Sequence, residues 1–233
     1  MKITGSKKPN PVEDTRAWYN RISRLYDSLA WKYEKIATEA GLRVLDVQRG
    51  QRVLEIGFGT GHAIISMAGS TGGAGTIYGV DISENMCRIT KNAVVRAHLE
   101  SRVSLVQADA RSLSFGNQVF DAIFMSFTLE LFSDTDIPLL LSECRRVIRK
   151  GGALCIVSLE KTEEPGFAES LYGKFHTIFP RSIDCRPIVL AEVLSDNGFT
   201  ITKKEKFALW GLPVEIALCK VLNFHESIAP ALS

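Results

Sequence analysis

The chain has 233 residues, 45% of them hydrophobic and 23% charged, enough for one well-buried α/β domain and too few for two ordinary ones. Its formal net charge is +2, with Lys2, Lys7 and Lys8 clustered at the start and the remainder nearly balanced, which argues against the basic surface of a general nucleic-acid binder. The five cysteines are scattered and never form C-x-x-C, the first residues lack the apolar core of a signal peptide, and no apolar run approaches the roughly 20 residues of a bilayer span, so a cytoplasmic protein with reduced thiols is expected.

Asn10-Pro11-Val12-Glu13 predicts a helix start: an Asn cap, Pro at the first helical position and an acid near the positive end of the dipole. Trp18, Ile22, Leu25, Tyr26, Leu29, Tyr33, Ile36, Ala37 and Ala40 step by three and four. The helix is therefore expected to reach about Gly41, with an apolar face that packs on the domain or covers its ligand. From Arg52 onward strands and helices alternate, with strands near 52–57, 76–81, 103–107, 119–126 and 153–159, the pattern of a doubly wound parallel sheet. The crossovers are a helix after Gly61, one capped by Ser83, and one from about Asp136 to Arg149 that ends at Lys150-Gly151-Gly152, where a left-handed cap is expected. Residues 160–186 read as an inserted helical lid, with Phe167, Leu171, Phe175 and Ile178 at helical spacing. Pro187 is expected to open a further helix that stops at Asn197-Gly198. Residues 199–207 and 213–222 then form an antiparallel hairpin across Ala208 to Leu212, followed by a tail from Asn223 to Ser233.

The chemistry concentrates where Val53-Leu54-Glu55-Ile56 runs straight into Gly57-Phe58-Gly59-Thr60-Gly61. Such a loop turns tightly and lets its N–H groups approach a ligand. Asp81 closes the next strand, placed to accept hydrogen bonds from both hydroxyls of a ribose. The dinucleotide spacing G-x-G-x-x-G fails at His62, and no Gly-Lys-Ser or Gly-Lys-Thr follows a glycine loop anywhere. An acid followed by G-x-G-x-G instead resembles the first motif of the class I S-adenosylmethionine-dependent methyltransferases, and the order of elements matches that family over about residues 45–222. S-adenosylmethionine has no phosphates but does have an α-carboxylate, which free N–H groups opening a helix could hold.

The resemblance implies a Rossmann-like, doubly wound seven-stranded α/β sheet, mostly parallel with a C-terminal antiparallel hairpin, in a single domain spanning 1–233. It implies S-adenosyl-L-methionine as cofactor, with Gly57, Gly59 and Gly61 along the methionyl part, Asp81 on the ribose, and Asp109, followed by Ala110, accepting the adenine amino group. Capping of a helix or turn is the alternative for both aspartates. Ile82 and Met86 could sandwich the adenine, and core packing accounts for them equally well. Glu55 either anchors the glycine loop by accepting its amides or approaches the cofactor amino group; an unpaired buried carboxylate would be costly.

Phe120 to Ser126 resembles the family's fourth motif, a strand whose end faces the substrate. The Asn- or Asp-Pro-Pro-Tyr of enzymes that methylate amino groups of bases or glutamine is missing, so no nucleic-acid acceptor is expected. The run from Trp18 to Asp27 is similar to the opening of methyltransferases acting on quinone precursors and of bacterial phospholipid N-methyltransferases, where a tyrosine followed by Asp lies across the cofactor. Tyr19 and Tyr26 are therefore candidates for closing the site. The longer insert rich in Gly, His and Trp of the quinone group is absent, while Leu209 to Glu215 resembles its ending. The four histidines share no metal-ligand spacing, so no metal is expected. No catalytic residue is assigned; the candidates are His176, Glu130, read chiefly as a pocket-rim residue, and Tyr26. The expected reaction is in-line methyl transfer to a small, fairly apolar acceptor such as a quinone precursor, lipid head group or secondary metabolite. An aminopropyltransferase-like enzyme and a non-catalytic adenosyl-ligand-binding partner subunit are the alternatives. Contact of the basic N-terminal end with a membrane surface and the oligomeric state stay open.

Overall fold

The computed structural model describes Lys32 and residues 34–161, 188–209 and 212–222. After helix α1 (residues 34–45) come β1 (Arg52–Ile56), α2 (His62–Thr71), β2 (Thr76–Asp81), α3 (Glu84–Arg96), β3 (Val103–Gln107) and β4 (Phe120–Ser126). The second half holds α4 (Ile137–Val147), β5 (Ile148–Leu159), α5 (Leu190–Asp196), β6 (Phe199–Leu209) and β7 (Leu212–Val221). The seven strands form one sheet in the order β3-β2-β1-β4-β5-β7-β6. All neighbours pair in parallel except β7, which runs antiparallel to both β5 and β6. The chain leaves β1 toward β2 on one side and returns to β4 on the other, so a crevice opens at the carboxyl ends of β1 and β4.

Two apolar layers cover the sheet. On one face Ala37, Ala40 and Val44 of α1 and Ala63, Ile64 and Met67 of α2 bury against Val53, Phe124 and Val157. On the other, Leu140, Leu141 and Cys144 of α4 and Leu190 and Leu194 of α5 meet Leu54, Ile123 and Ile156. The central strands are apolar on both faces, as a sheet covered by helices on both sides requires.

Three boundaries differ from the sequence pattern. Helix α1 continues through Gly41 because Val44 and Leu45 extend its buried stripe; it stops at Asp46, in the left-handed region at φ 51°. Gly41 serves packing instead: a Cβ there would stand 2.3 Å from Val157 Cγ2 and 3.0 Å from the Phe124 ring. Helix α4 ends two residues short of Arg149, since Ile148 pairs with Phe120 and starts β5. The expected helix cap at Gly151-Gly152 is thus a strand irregularity, across which the register with β4 shifts before Ala153 meets Ala122. The C-terminal hairpin is longer than expected, with Ala208 paired to Pro213 and Leu209 to Leu212. The 10–33 part of the N-terminal helix other than Lys32, the lid proposed from Thr162 onward, Pro187 and the tail lie outside the described residues.

Candidate active site

A cavity of 670 Å³ occupies the crevice, within the usual size range of small-molecule sites. Its floor is the loop leaving β1. Gly57 adopts φ 73°, and a Cβ there would lie 2.4 Å from Thr128 Oγ1, so the loop presses directly on the turn after β4. The Gly57 amide donates to the Val80 carbonyl (2.8 Å), and Thr90 Oγ1 donates to the Gly59 carbonyl (2.8 Å). Gly59 has open space where a Cβ would stand, and it lines the cavity. Gly61 does not. It is buried against Thr90 of α3 and caps α2, so its role is to bring two helices together.

Asp81 ends β2 beside this loop. Its Oδ2 accepts from the Gly59 amide (3.0 Å) and its Oδ1 from the Ser83 amide (2.8 Å). One carboxylate thus fixes both the glycine loop and the start of α3, with lone pairs left for a ligand. Ile82, 70% exposed, and Met86 line the wall next to it. Asp109 and Ala110, after β3, line the same cavity. There Asp109 is engaged in a way the sequence did not suggest: Arg111 grips both its oxygens (3.0 Å from Nε, 2.6 Å from Nη2) and reaches Asp136 at 2.8 Å. These hydrogen bonds from Arg111 hold both carboxyls below the usual range.

Glu55 is 3% exposed and also lines the cavity. Burial, followed by the charge of Asp81, pushes its carboxyl well up, and the Ile64 amide offsets part of this. Oε2 has no hydrogen-bond partner among the described residues. The amide that acts on the carboxyl is that of Ile64, in the first turn of α2 and not in the glycine loop, and the second oxygen faces no hydrogen-bond partner among the described residues.

The cover of the cavity comes from α1, with Glu34, Lys35 and Thr38. Thr38 Oγ1 hydrogen-bonds Ser126 Oγ at 2.8 Å, tying the helix to the end of β4. His62 lines the cavity and pairs with Glu39 at 2.6 Å, tying the same helix to α2. Neither Glu34 nor His62 stood out in the sequence: the partner of His62, Glu39, lies on another element, and no local motif marks either residue. Phe127, Leu131 and Phe132 supply an apolar stretch of wall after β4.

Glu130 corrects an expectation. It is not on the rim: it is 0% exposed, close to the Leu159 amide at 3.5 Å and absent from the cavity wall. Burial raises its carboxyl to about 7. Tyr19, Tyr26 and His176 lie outside the described residues, so the structure brings together Glu55, Gly57, Gly59, Asp81, Ile82, Met86, Asp109, Ala110 and Ser126. Among the described residues no group of three or more His, Cys, Asp or Glu side chains could hold a metal ion, and no helix is long and apolar enough to cross a membrane.

A family model described as a methyltransferase domain matches residues 53–152, from β1 into β5. A demethylmenaquinone methyltransferase of Bacillus mycoides is 28% identical over 166 residues, covering 70% of this chain and 69% of that protein. A second enzyme of the same name, from Porphyromonas gingivalis, is 29% identical over 153 residues, covering 64% and 62%. Among solved structures, a S-adenosylmethionine-dependent methyltransferase from Aquifex aeolicus superposes with a TM-score of 0.63 at 20% identity, covering 87% of this chain and 98% of that one. At such identity the superposition speaks for the fold. Together with the glycine loop after β1 and the acid at the end of β2, these likenesses lead to one reading: residues 53–152 carry a methyltransferase domain, and the chain is similar to S-adenosylmethionine-dependent methyltransferases.

Proposed function

We propose that this protein transfers the methyl group of S-adenosylmethionine, bound in the cavity above β1 and β4, to a small, fairly apolar acceptor of the quinone-precursor kind. The observation that carries the reading is the direct bond from the Gly59 amide to Asp81. It joins an open glycine loop to an acid in the same cavity as an unpartnered buried carboxyl oxygen on Glu55. These residues fit the cofactor's chemistry: amides and a cradle without a side chain for its amino-acid end, a carboxylate for the ribose hydroxyls, and apolar Ile82 and Met86 for a flat base. Asp109 and Ala110 then flank the base, with Arg111 fixing the orientation of the Asp109 carboxylate.

S-adenosylmethionine supplies a methyl carbon activated by an adjoining sulfonium, open to in-line displacement. The protein's part is to hold, orient and exclude water. Thr38 and Ser126 fasten α1 over the end of β4, and His62 with Glu39 fastens it to α2. Fixing two reactants at attack distance supplies about 7–11 kcal/mol in well-oriented systems, so a dedicated acid-base pair is not required for every acceptor. Phe127, Leu131 and Phe132 form the apolar wall that an acceptor ring would meet, and the names of the relatives favour a quinone-like nucleophile.

Calorimetric titration with S-adenosylmethionine, beside Asp81→Ala and a nicotinamide dinucleotide control, tests the donor site. Removing this carboxylate takes away the ribose acceptor and leaves the Gly59 and Ser83 amides without it, so affinity should fall about tenfold to a hundredfold. An Asp81→Ala protein that binds S-adenosylmethionine as tightly as wild type would defeat the placement. Mass spectrometry of reduced naphthoquinones incubated with enzyme and donor then tests the acceptor: a gain of one methyl group is expected.

A further inference from the structure

Two carboxylates meet the cavity for which no cationic partner is identified among the described residues. Glu55 comes from β1, with Oε2 enclosed and unpartnered. Glu34 comes from α1, and no hydrogen bond or ion pair to it is found among the described residues. The other charged groups facing this space are accounted for differently. His62 of α2 is held by Glu39, Asp81 of β2 is held by two amides, and Arg111 is engaged by Asp109 and Asp136. Lys35 lies beside Glu34 on its own helix and has an interaction of its own. Sheltered carboxylates without partners are costly to keep ionised, which makes the cavity wall beside each of them a place for a positively charged ligand group.

S-adenosylmethionine carries two such groups, its α-ammonium and its sulfonium. We infer that Glu34, acting from the cover helix together with Glu55, is a recognition residue for the positive charge of the donor's methionyl end. The inference rests on the reading that S-adenosylmethionine occupies this cavity. It gives α1 a part in selecting the ligand as well as in covering it.

A pH dependence follows. Burial raises the Glu34 carboxyl to about 7 before a ligand arrives, and burial raises Glu55 as well. A bound cation favours the ionised form and draws these pKa values down. Binding near neutral pH therefore releases protons, and affinity falls as pH drops through about 7, because the proton must then be removed from the empty site before the cation can be held.

The test is calorimetry on the full chain and on Glu34→Gln, using S-adenosylmethionine and S-adenosylhomocysteine, each at pH 8 and, in two buffers of different ionisation enthalpy, at pH 7. Glu34→Gln should weaken S-adenosylmethionine about tenfold or more at pH 8. It should also release about half a proton fewer at pH 7, where a group with a pKa near 7 is half protonated. An equal loss for S-adenosylhomocysteine assigns Glu34 to the ammonium, and a loss confined to S-adenosylmethionine assigns it to the sulfonium; both outcomes support recognition. Unchanged affinity overturns the inference. So does weakened affinity with unchanged proton release, since a merely distorted cover would give that result. If the wild-type chain binds neither ligand, the donor-site reading itself has failed, a result distinct from either of these.

Discussion

At the scale of single residues, the acids of this protein divide by what compensates them. Asp109 and Asp136 share Arg111 near the surface, while Glu130 sits in the core behind the turn that follows β4, where the Leu159 amide and Ser158 are among the neighbours that stabilise its charge. Burial keeps its carboxyl near pH 7, above the 4.5 of an exposed glutamate. Between those values the folded state holds a proton that the unfolded state has released, so this group's contribution to stability declines as pH rises from about 4.5 to 7. A shift of that size corresponds to roughly 3 kcal/mol. Glu130→Gln, which cannot ionise, should remove that slope. Urea denaturation at pH 5 and pH 8 should show wild type losing more stability across this range than the variant, by an amount on the order of 3 kcal/mol. Parallel losses in the two proteins would mean that Glu130 is already ionised at pH 5.

At the scale of elements, the decisive interactions are close approaches that a local sequence window does not reveal. The glycine loop, Asp81 and the strands around them were legible because they combine a strong local pattern with fixed spacing. The continuation of α1 through Gly41 was not, since glycine in a helix reads as a stop when the strand packed against it is unknown. The same holds for Ile148, whose place in β5 is decided by its partner Phe120, and for His62 and Arg111, whose partners Glu39 and Asp136 lie elsewhere in the fold. Glycine-to-alanine exchange separates the two influences. At Gly69, within α2, a Cβ would meet nothing within 4 Å, so Gly69→Ala should stabilise by about 0.5–1 kcal/mol through helix propensity alone. At Gly41 the same propensity gain is opposed by contact with Val157 and Phe124, and overpacking of a tight core costs about 1–3 kcal/mol. The clash should win, and Gly41→Ala should lower the urea midpoint while Gly69→Ala raises it. Stabilisation by both exchanges would show that α1 can shift off the sheet freely.

At the scale of the whole molecule, the described wall of the donor cavity and the proposed lid are separate in sequence. Every described residue that lines the cavity falls between Glu34 and Asp136, whereas the segment read as a lid begins after β5 and lies outside the described residues. Glu160 and Ile188, on either side of that segment, are joined by a parallel bridge, so the sheet brings the two ends of the segment together. A flexible Gly/Ser linker of n residues spans about 5–6 Å × √n, and ten such residues reach far enough to turn back and enter the bridge in the same direction. Replacing residues 162–187 by such a linker should therefore leave S-adenosylmethionine binding within about threefold of wild type, a change of under 1 kcal/mol. The acceptor is a different matter: if 162–187 closes over it, the same replacement removes methyl transfer to a reduced naphthoquinone. Measured together by calorimetry and mass spectrometry, retained binding with lost transfer assigns the segment to the acceptor. Loss of donor affinity by tenfold or more would instead make it part of the donor site, and retained transfer would take away its role as a lid.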